Sequence, residues 1–374
     1  MKPENIFDIF SELGINFYTG VPDSLLKNFC SYVNDKVSVK DHIISTNEGS
    51  AVALASGHYL ATGKPALVYM QNSGFGNAVN PVLSLADPEV YGIPMMLMIG
   101  WRGEPGKKDE PQHIKQGRVL IDMIRSMEIP YRIFSKQSSD PEKDIRELFE
   151  ISVSKNCPVA LVVSEGFFES YSPKTGIENT YPVSREKAIS IILDSIGKNE
   201  IIISTTGKTS RELFETRKSE KAGHDKDFLT VGSMGHCSQI ALGIALNKRD
   251  KNIFILDGDG AVLMHMGALA VIGTQAPGNI RHIILNNGAH ESVGGQPTAG
   301  FGISFTEIAD ACGYTMCLLA ETEEQIRAEA EVLKNAKGPA LLEIRINKNS
   351  RSDLGRPDSS PAENKKLLMD RLRS

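Results

Sequence analysis

Short, unbroken apolar runs recur along both halves of the sequence. PALVYMQ (65–71), IPMMLMIG (93–100) and CPVALVVS (157–164) stand in the first half, and EIIIST (200–205), NIFILDGDG (252–260), IRHIILNNG (280–288) and PALLEIRI (339–346) in the second. Runs of this length without polar alternation read as strands covered on both faces, the pattern of a parallel sheet. Between them the spacing turns helical at 6–13, at 25–33 behind a Ser24 suited to capping, and in NEGSAVALASGHYLATG, closed by Gly63. It does so again from about Arg185, in RELFETRKS (211–219) and in VLMHMGALAVIGTQ (262–275). This β-α-β grammar predicts an α/β chain with two domains, each a mostly parallel sheet covered by helices. A length of 374 residues also exceeds what a single core usually serves.

The pattern lapses in GFFESYSPKTGIENTYP (166–182), which has neither period. The expected division is therefore 1–168, a linker at 169–183, and 184–374 with a charged tail from Asn347 that reads as loop plus a short surface helix. A net charge of −5 with 23% charged residues lacks the clustered excess of Lys and Arg that nucleic acid or an acidic membrane requires. Five scattered cysteines without a CxxC pair support neither a disulfide framework nor a thiolate zinc site. The amphipathic start lacks an export signal, and no apolar run approaches the roughly 20 residues that span a bilayer, so a cytoplasmic protein is expected.

Two motifs fall at carboxyl ends of strands, where ligands bind in open α/β sheets. Gly258-Asp259-Gly260-Ala261 follows one strand, and Asn286-Asn287-Gly288 follows the next. A carboxylate and an amide are hard oxygen donors that suit Mg²⁺, and the glycines let backbone N–H groups approach phosphate. Each motif alone is an ordinary turn dipeptide. A phosphate-binding loop of the Walker type would need glycine where Ile202 stands, and a dinucleotide fingerprint would need it where Leu263 stands.

GDG, twenty-five intervening residues and NN together resemble the diphosphate anchor of thiamine-diphosphate enzymes. The resemblance implies Asp259, Asn287 and the Ala289 carbonyl as Mg²⁺ ligands, with Gly258, Gly260 and Ala261 at the diphosphate. Glu48 resembles the glutamate that bonds the cofactor's aminopyrimidine, with Gly74 and Asn77 in the turn after the next strand. TVGSMGHCSQIALGIAL resembles the segment that holds the cofactor bent, with Gly232, Ser233 and Met234 in contact. STTGKTSREL resembles a second phosphate turn, with Gly207, Lys208 and Thr209.

The resemblance covers nearly the full chain and leaves no room for the middle domain of longer relatives. That absence narrows it to the short phosphonopyruvate and sulfopyruvate decarboxylases, and TGVPDSLLKNF, GWRGEPGKKDEPQH and NNGAHESVGGQPT resemble the phosphonopyruvate decarboxylases in particular. The implied reaction is non-oxidative decarboxylation of 3-phosphonopyruvate to phosphonoacetaldehyde in phosphonate biosynthesis, with thiamine diphosphate and Mg²⁺. The implied state is a homodimer or higher oligomer whose sites draw on two subunits. Arg102, Lys107, Lys108 and His113 are the expected cations for a phosphonate, although Glu104, Asp109 and Glu110 nearly cancel their charge. Asp23 and His290 are the expected catalytic partners of Glu48. His42, His58, His236, His265 and His282 read as packing or surface residues. The alternatives are sulfopyruvate decarboxylase, an acetolactate-synthase-like carboligase, and a silent cofactor-binding protein, against which Glu48 stands.

Overall fold

In the structure, a computed structural model that describes residues 1–174 and 179–374, the chain divides into two compact units. The first comprises Met1–Ile177 with His290–Pro297, and the second Glu178–Ala289 with Thr298–Ser374. Residues 175–178 of the expected linker lie outside the described residues.

The first unit holds six parallel strands: β1 (Tyr18–Gly20), β2 (His42–Ile44), β3 (Ala66–Gln71), β4 (Met95–Gly100), β5 (Tyr131–Phe134) and β6 (Pro158–Val163). The second holds six more: β7 (Ile201–Ser204), β8 (Asp227–Leu229), β9 (Ile253–Gly258), β10 (Ile280–Asn286), β11 (Met316–Ala320) and β12 (Ala340–Arg345). Their orders are β2-β1-β3-β4-β6-β5 and β11-β12-β10-β9-β7-β8. Helices cover both sheets, and the described residues contain no middle domain.

The apolar runs lack alternation because each sheet is packed on both faces. In the first unit Leu67, Tyr69, Met96 and Met98 join Phe10 and Phe29 in one core. Their neighbours Ala66, Val68, Met70, Leu97 and Ile99 join Val52, Phe75 and Ile124 in the other. The second unit repeats this, with Phe254, Leu256, Ile283 and Leu285 on one side and Ile253, Ile255, Ile280 and Ile284 on the other. Each such side chain contributes about 1.5–3 kcal/mol on leaving water. Because all strands are parallel, their carboxyl ends share one edge of each sheet, and the loops that leave that edge are brought together.

Three expectations need correction. The helix Lys27–Lys36 takes no side-chain cap from Ser24; Asp23 Oδ2 instead accepts from the N–H groups of Leu25 (2.8 Å) and Leu26 (3.3 Å) in the turn before it. The stretch expected as a single helix at 262–275 breaks at His265 into Asp259–Met264 and Gly267–Gln275. There the His265 ring lies against Gly235, where a Cβ would stand 2.7 Å from it. The tail helix Pro361–Arg373 is anchored rather than merely superficial. Asn364 is buried, accepts from Leu229 N at 3.0 Å and donates to Asp227 O at 2.8 Å, which ties the helix to β8. No helix among the described residues is long and apolar enough to cross a membrane.

Candidate active site

Glu48 opens the helix Glu48–Thr62, whose N-terminus is fixed by Asn47 Oδ1 accepting from Ser50 N at 2.9 Å. The Glu48 side chain is buried, and its Oε2 accepts from Asn77 Nδ2 at 2.7 Å. Burial pushes this carboxyl up, with the Asn77 bond opposing. Gly74 makes the packing possible, since a Cβ there would lie 1.9 Å from Glu48 Oε1. The three residues named from the sequence thus form one cluster, a buried carboxyl poised to hold or give up a proton.

Asp23 lies at the same edge, beyond β1. It is fully buried, packed where a Cβ on Gly100 would be 2.2 Å from Oδ2, and its Oδ1 accepts from Gln71 Nε2 at 2.6 Å. Burial pushes the Asp23 carboxyl up, and its bonds and the nearby Arg102 charge oppose this.

The loop that follows β4 is built around Asp109. Its two oxygens accept from Arg102 Nε (2.8 Å) and Nη2 (2.5 Å), from the N–H groups of Gly103 (2.7 Å) and Glu110 (2.7 Å), and from His113 Nδ1 (2.9 Å). Burial raises the Asp109 carboxyl, but the Arg102, His113 and backbone bonds more than reverse that and hold it well below the usual range. Arg102 also donates through Nη1 to Ser24 Oγ at 2.9 Å, and its backbone is clasped by Asn72 (3.1 and 2.8 Å). Lys107 pairs with Glu104 at 2.7 Å, whereas the exposed Lys108 forms no ion pair among the described residues. The loop borders a cavity of about 260 Å³ lined by Arg102, Lys107 and Lys108 and by the carboxylates Glu104, Asp109 and Glu165, among others. The four cations named from the sequence are therefore brought together, but Arg102 and His113 are already engaged by a carboxylate.

In the second unit Asp259 is the first residue of its helix and is buried. Thr298 Oγ1 donates to its Oδ2, and the N–H groups of Gly260 and Asn287 also bond to the carboxylate. Burial dominates and pushes the Asp259 carboxyl up to about 6. Asn287 lies one residue beyond β10, with its Oδ1 accepting from Ala289 N at 3.1 Å and its carbonyl from Asn179 Nδ2 at 3.2 Å. Gly288 takes a positive φ of 67° and packs so closely on Phe301 that a Cβ would lie 2.4 Å from the ring.

The other named residues of this unit occupy turns at the same edge. Gly207 (φ 89°) opens the helix Lys208–Ser219, Lys208 Nζ donates to Ser350 Oγ at 2.5 Å, and Thr209 is buried. Gly232, Ser233 (φ 56°) and the half-buried Met234 form the turn before the helix Cys237–Asn247. Gly235 sets that turn against the helix of Asp259, since a Cβ there would be 3.0 Å from Ala261 O. His290 falls in a segment that groups with the first unit, and its backbone N–H donates to Gln296 O at 2.8 Å. His42 bonds Tyr69 OH at 2.9 Å, His58 stacks on Phe17, His282 lies 3.5 Å from Asp257, and His236 and His265 face each other.

A model of the thiamine pyrophosphate enzyme N-terminal TPP binding domain matches residues 3–123, and one of the C-terminal TPP binding domain matches 205–344. The phosphonopyruvate decarboxylase of Streptomyces viridochromogenes is 30% identical over 94% of this chain and 90% of its own length. That of Streptomyces hygroscopicus is 31% identical over 94% and 89%. The chain belongs to the phosphonopyruvate decarboxylase family of thiamine pyrophosphate enzymes. The sulfopyruvate decarboxylase of Methanosarcina acetivorans is also similar, at 29% over 83% of this chain and 82% of its own. This member is accordingly a thiamine-diphosphate-dependent 2-oxo acid decarboxylase, a lyase.

The buried Asp259 carboxylate and the Asn287 amide beside it are oxygen donors of the kind that a hard cation takes. Among the described residues no group of three or more His, Cys, Asp or Glu side chains could hold a metal alone. One buried carboxylate, one amide and one carbonyl leave room for oxygens brought by the cofactor. Sequence reasoning missed Asp109, Gln71, Thr298 and Asn286 as site-building residues. Asp109 and Thr298 act over loops without any period, so neither pattern nor propensity marks them.

Proposed function

We propose that the chain decarboxylates 3-phosphonopyruvate to phosphonoacetaldehyde and CO₂, with thiamine diphosphate and Mg²⁺ bound, in phosphonate biosynthesis. In this reading 1–168 is the pyrimidine-binding half and 184–374 the diphosphate-binding half, and active sites form between subunits of a homodimer or larger oligomer. When bound, the cofactor supplies the carbon nucleophile and the electron sink for decarboxylation.

Glu48 holds and returns a proton at the aminopyrimidine, a task suited to a carboxyl that burial has already pushed up. Asp259 and Asn287, with the Ala289 carbonyl, would hold the cation that balances the charge of the diphosphate. The turns at Gly207, Lys208 and Thr209 and at Gly258, Gly260 and Ala261 offer backbone N–H groups to the phosphates. Gly232, Ser233 and Met234 would line the cofactor, and Asp23 and His290 would serve the proton transfers.

The observation that carries the substrate is the cavity beside Arg102, Lys107 and Lys108, at the edge that also presents Glu48 and Asp23. An anionic head group there meets a preformed loop instead of a mobile chain end, which lowers the ordering cost of binding. Similarity to a sulfopyruvate decarboxylase favours a second reading in which a sulfonate occupies the same cavity. The deciding assay measures CO₂ and aldehyde from phosphonopyruvate, sulfopyruvate and pyruvate with cofactor and Mg²⁺ supplied. A kcat/KM higher for sulfopyruvate would overturn the first reading, and a carbon–carbon bonded product would overturn both.

A further inference from the structure

The loop that follows the candidate metal ligands folds back onto them. Thr298 N donates to Gly288 O at 2.9 Å, which pins this residue beside the Asn287 turn. Its hydroxyl gives its one proton to Asp259 Oδ2, 39 residues away in sequence, and accepts from Gly300 N at 3.1 Å. Gly300 presses on both motifs: a Cβ there would stand 2.6 Å from Asn286 Oδ1 and 2.7 Å from Asp259 Oδ2. Asn286, fully buried, closes the ring by donating to Gly300 O (2.9 Å) and Glu343 Oε1 (2.9 Å) while its Oδ1 accepts from Gly288 N (3.1 Å).

Asp259 is thus held from its own helix, from Asn287 and from Thr298, and a carboxylate so bonded has one orientation. A hydroxyl aimed at Oδ2 occupies one acceptor direction of that oxygen and turns the remaining lone pairs elsewhere. We infer that Thr298 is a positioning residue for the metal, which presents the Asp259 carboxylate to the cation in a fixed orientation. The inference rests on the reading of Asp259 and Asn287 as metal ligands and names what makes the site competent before metal arrives. Partners that orient a metal ligand in this way typically govern metal affinity by about 10–100-fold.

The test is Mn²⁺ binding by the full-length chain at fixed thiamine diphosphate, followed by electron paramagnetic resonance, for Thr298→Val, Thr298→Ser and Asp259→Ala. Valine keeps the shape and removes the proton, so binding should weaken about 10–100-fold, while serine should restore it to within about threefold. Thermal unfolding of the metal-free protein should be alike for all of these. Should Thr298→Val not fold, Thr298→Ala carries the same comparison. Unchanged Mn²⁺ binding in Thr298→Val beside a lost site in Asp259→Ala would overturn the positioning role and leave the ligand reading intact. Unchanged binding in Asp259→Ala would overturn the ligand reading itself. Failure of serine to rescue, or a metal-free unfolding temperature that falls with affinity, would reduce Thr298 to a structural part of the loop and overturn the inference.

Discussion

Replacing Asp109 by asparagine should both loosen the loop after β4 and damage anion recognition. The aspartate accepts five hydrogen bonds, two of them from the Arg102 fork, and asparagine must turn an NH₂ group toward at least one of those donors. The Asp109 side chain is 12% exposed and that of Arg102 is 21% exposed, so the pair lies between a surface ion pair and a buried one. Surface pairs contribute about 0–1 kcal/mol, and breaking buried ones costs about 3–5 kcal/mol, so a loss of about 2–3 kcal/mol is expected. For a unit of this size that corresponds to a fall of about 4–12 °C in the unfolding temperature. The sign of the pH dependence is fixed as well. A carboxyl held below its unfolded value stabilises the fold above about pH 4, and that contribution fades as pH falls toward the folded value. Calorimetry from pH 3 to 7 should therefore show a steady gap between parent and variant that begins to narrow below about pH 4 without closing, because the folded value lies far lower. In steady-state kinetics the KM for phosphonopyruvate should rise at least about tenfold in Asp109→Asn. Lys108→Ala should raise the same KM with no change in unfolding temperature, because that exposed side chain forms no ion pair among the described residues. An asparagine variant with the parent's unfolding temperature and KM would refute the role of Asp109 as the centre of the loop.

Glu48→Gln should retain thiamine diphosphate in equilibrium dialysis yet lose most activity, since an amide cannot exchange the proton; unchanged deuterium exchange at the thiazolium carbon would sink this role. Gly74→Ala should cost about 1–3 kcal/mol in denaturant unfolding and depress kcat, because its Cβ would fall 1.9 Å from Glu48 Oε1, and a variant of normal kcat would contradict that packing. Mixing inactive Glu48→Gln with inactive Asp259→Ala should recover part of the activity where subunits exchange, as some sites then draw an intact half from each parent. Exchange without recovery, measured on tagged subunits, would point to sites made within one chain.

What could be read from the sequence follows from how each element is buried. Strands β3, β4, β6, β9, β10 and β12 lie inside their sheets, so both faces are apolar and the run is unbroken. Of the strands without such a run, β2, β5, β8 and β11 are edge strands, and β1, inside its sheet, is only three residues long. β5 and β11 expose residues such as Ile133 and Leu319, and β8 is three residues long. Glu48, Asp259 and Asn287 were legible because each sits where a strand or loop enters a helix or turn, in a motif of residue types that chemistry restricts. The residues that orient them were not, because a bond across 39 residues, as from Thr298 to Asp259, leaves no local trace. The break at His265, whose ring lies against Gly235 of another turn, likewise leaves no local trace.

The two strand orders carry one further relation. Counted within its own sheet, β7 to β12 become strands one to six, and the second order reads 2-1-3-4-6-5 from the β8 edge, the same as the first. Corresponding strand ends can then be compared. After the third strand the first unit places the turn of Gly74 and the second the turn of Asp259; after the fourth the first places Arg102 and the second Asn287. The scaffold presents the same two loops in each half, so the chemistry that differs must lie in side chains. In the second unit a carboxylate and an amide at these ends suit a cation. In the first, the loop after the fourth strand carries Arg102, Lys107 and Lys108 beside Glu104 and Asp109, around the cavity proposed for an anion. In the proposed function, an anionic oxo acid and a cation at the cofactor's diphosphate call for both kinds of site. One topology used twice supplies them through a few substitutions at matching strand ends, which is why Asp109 and Thr298, each bracing one of those loops, are the residues whose loss should separate the two functions.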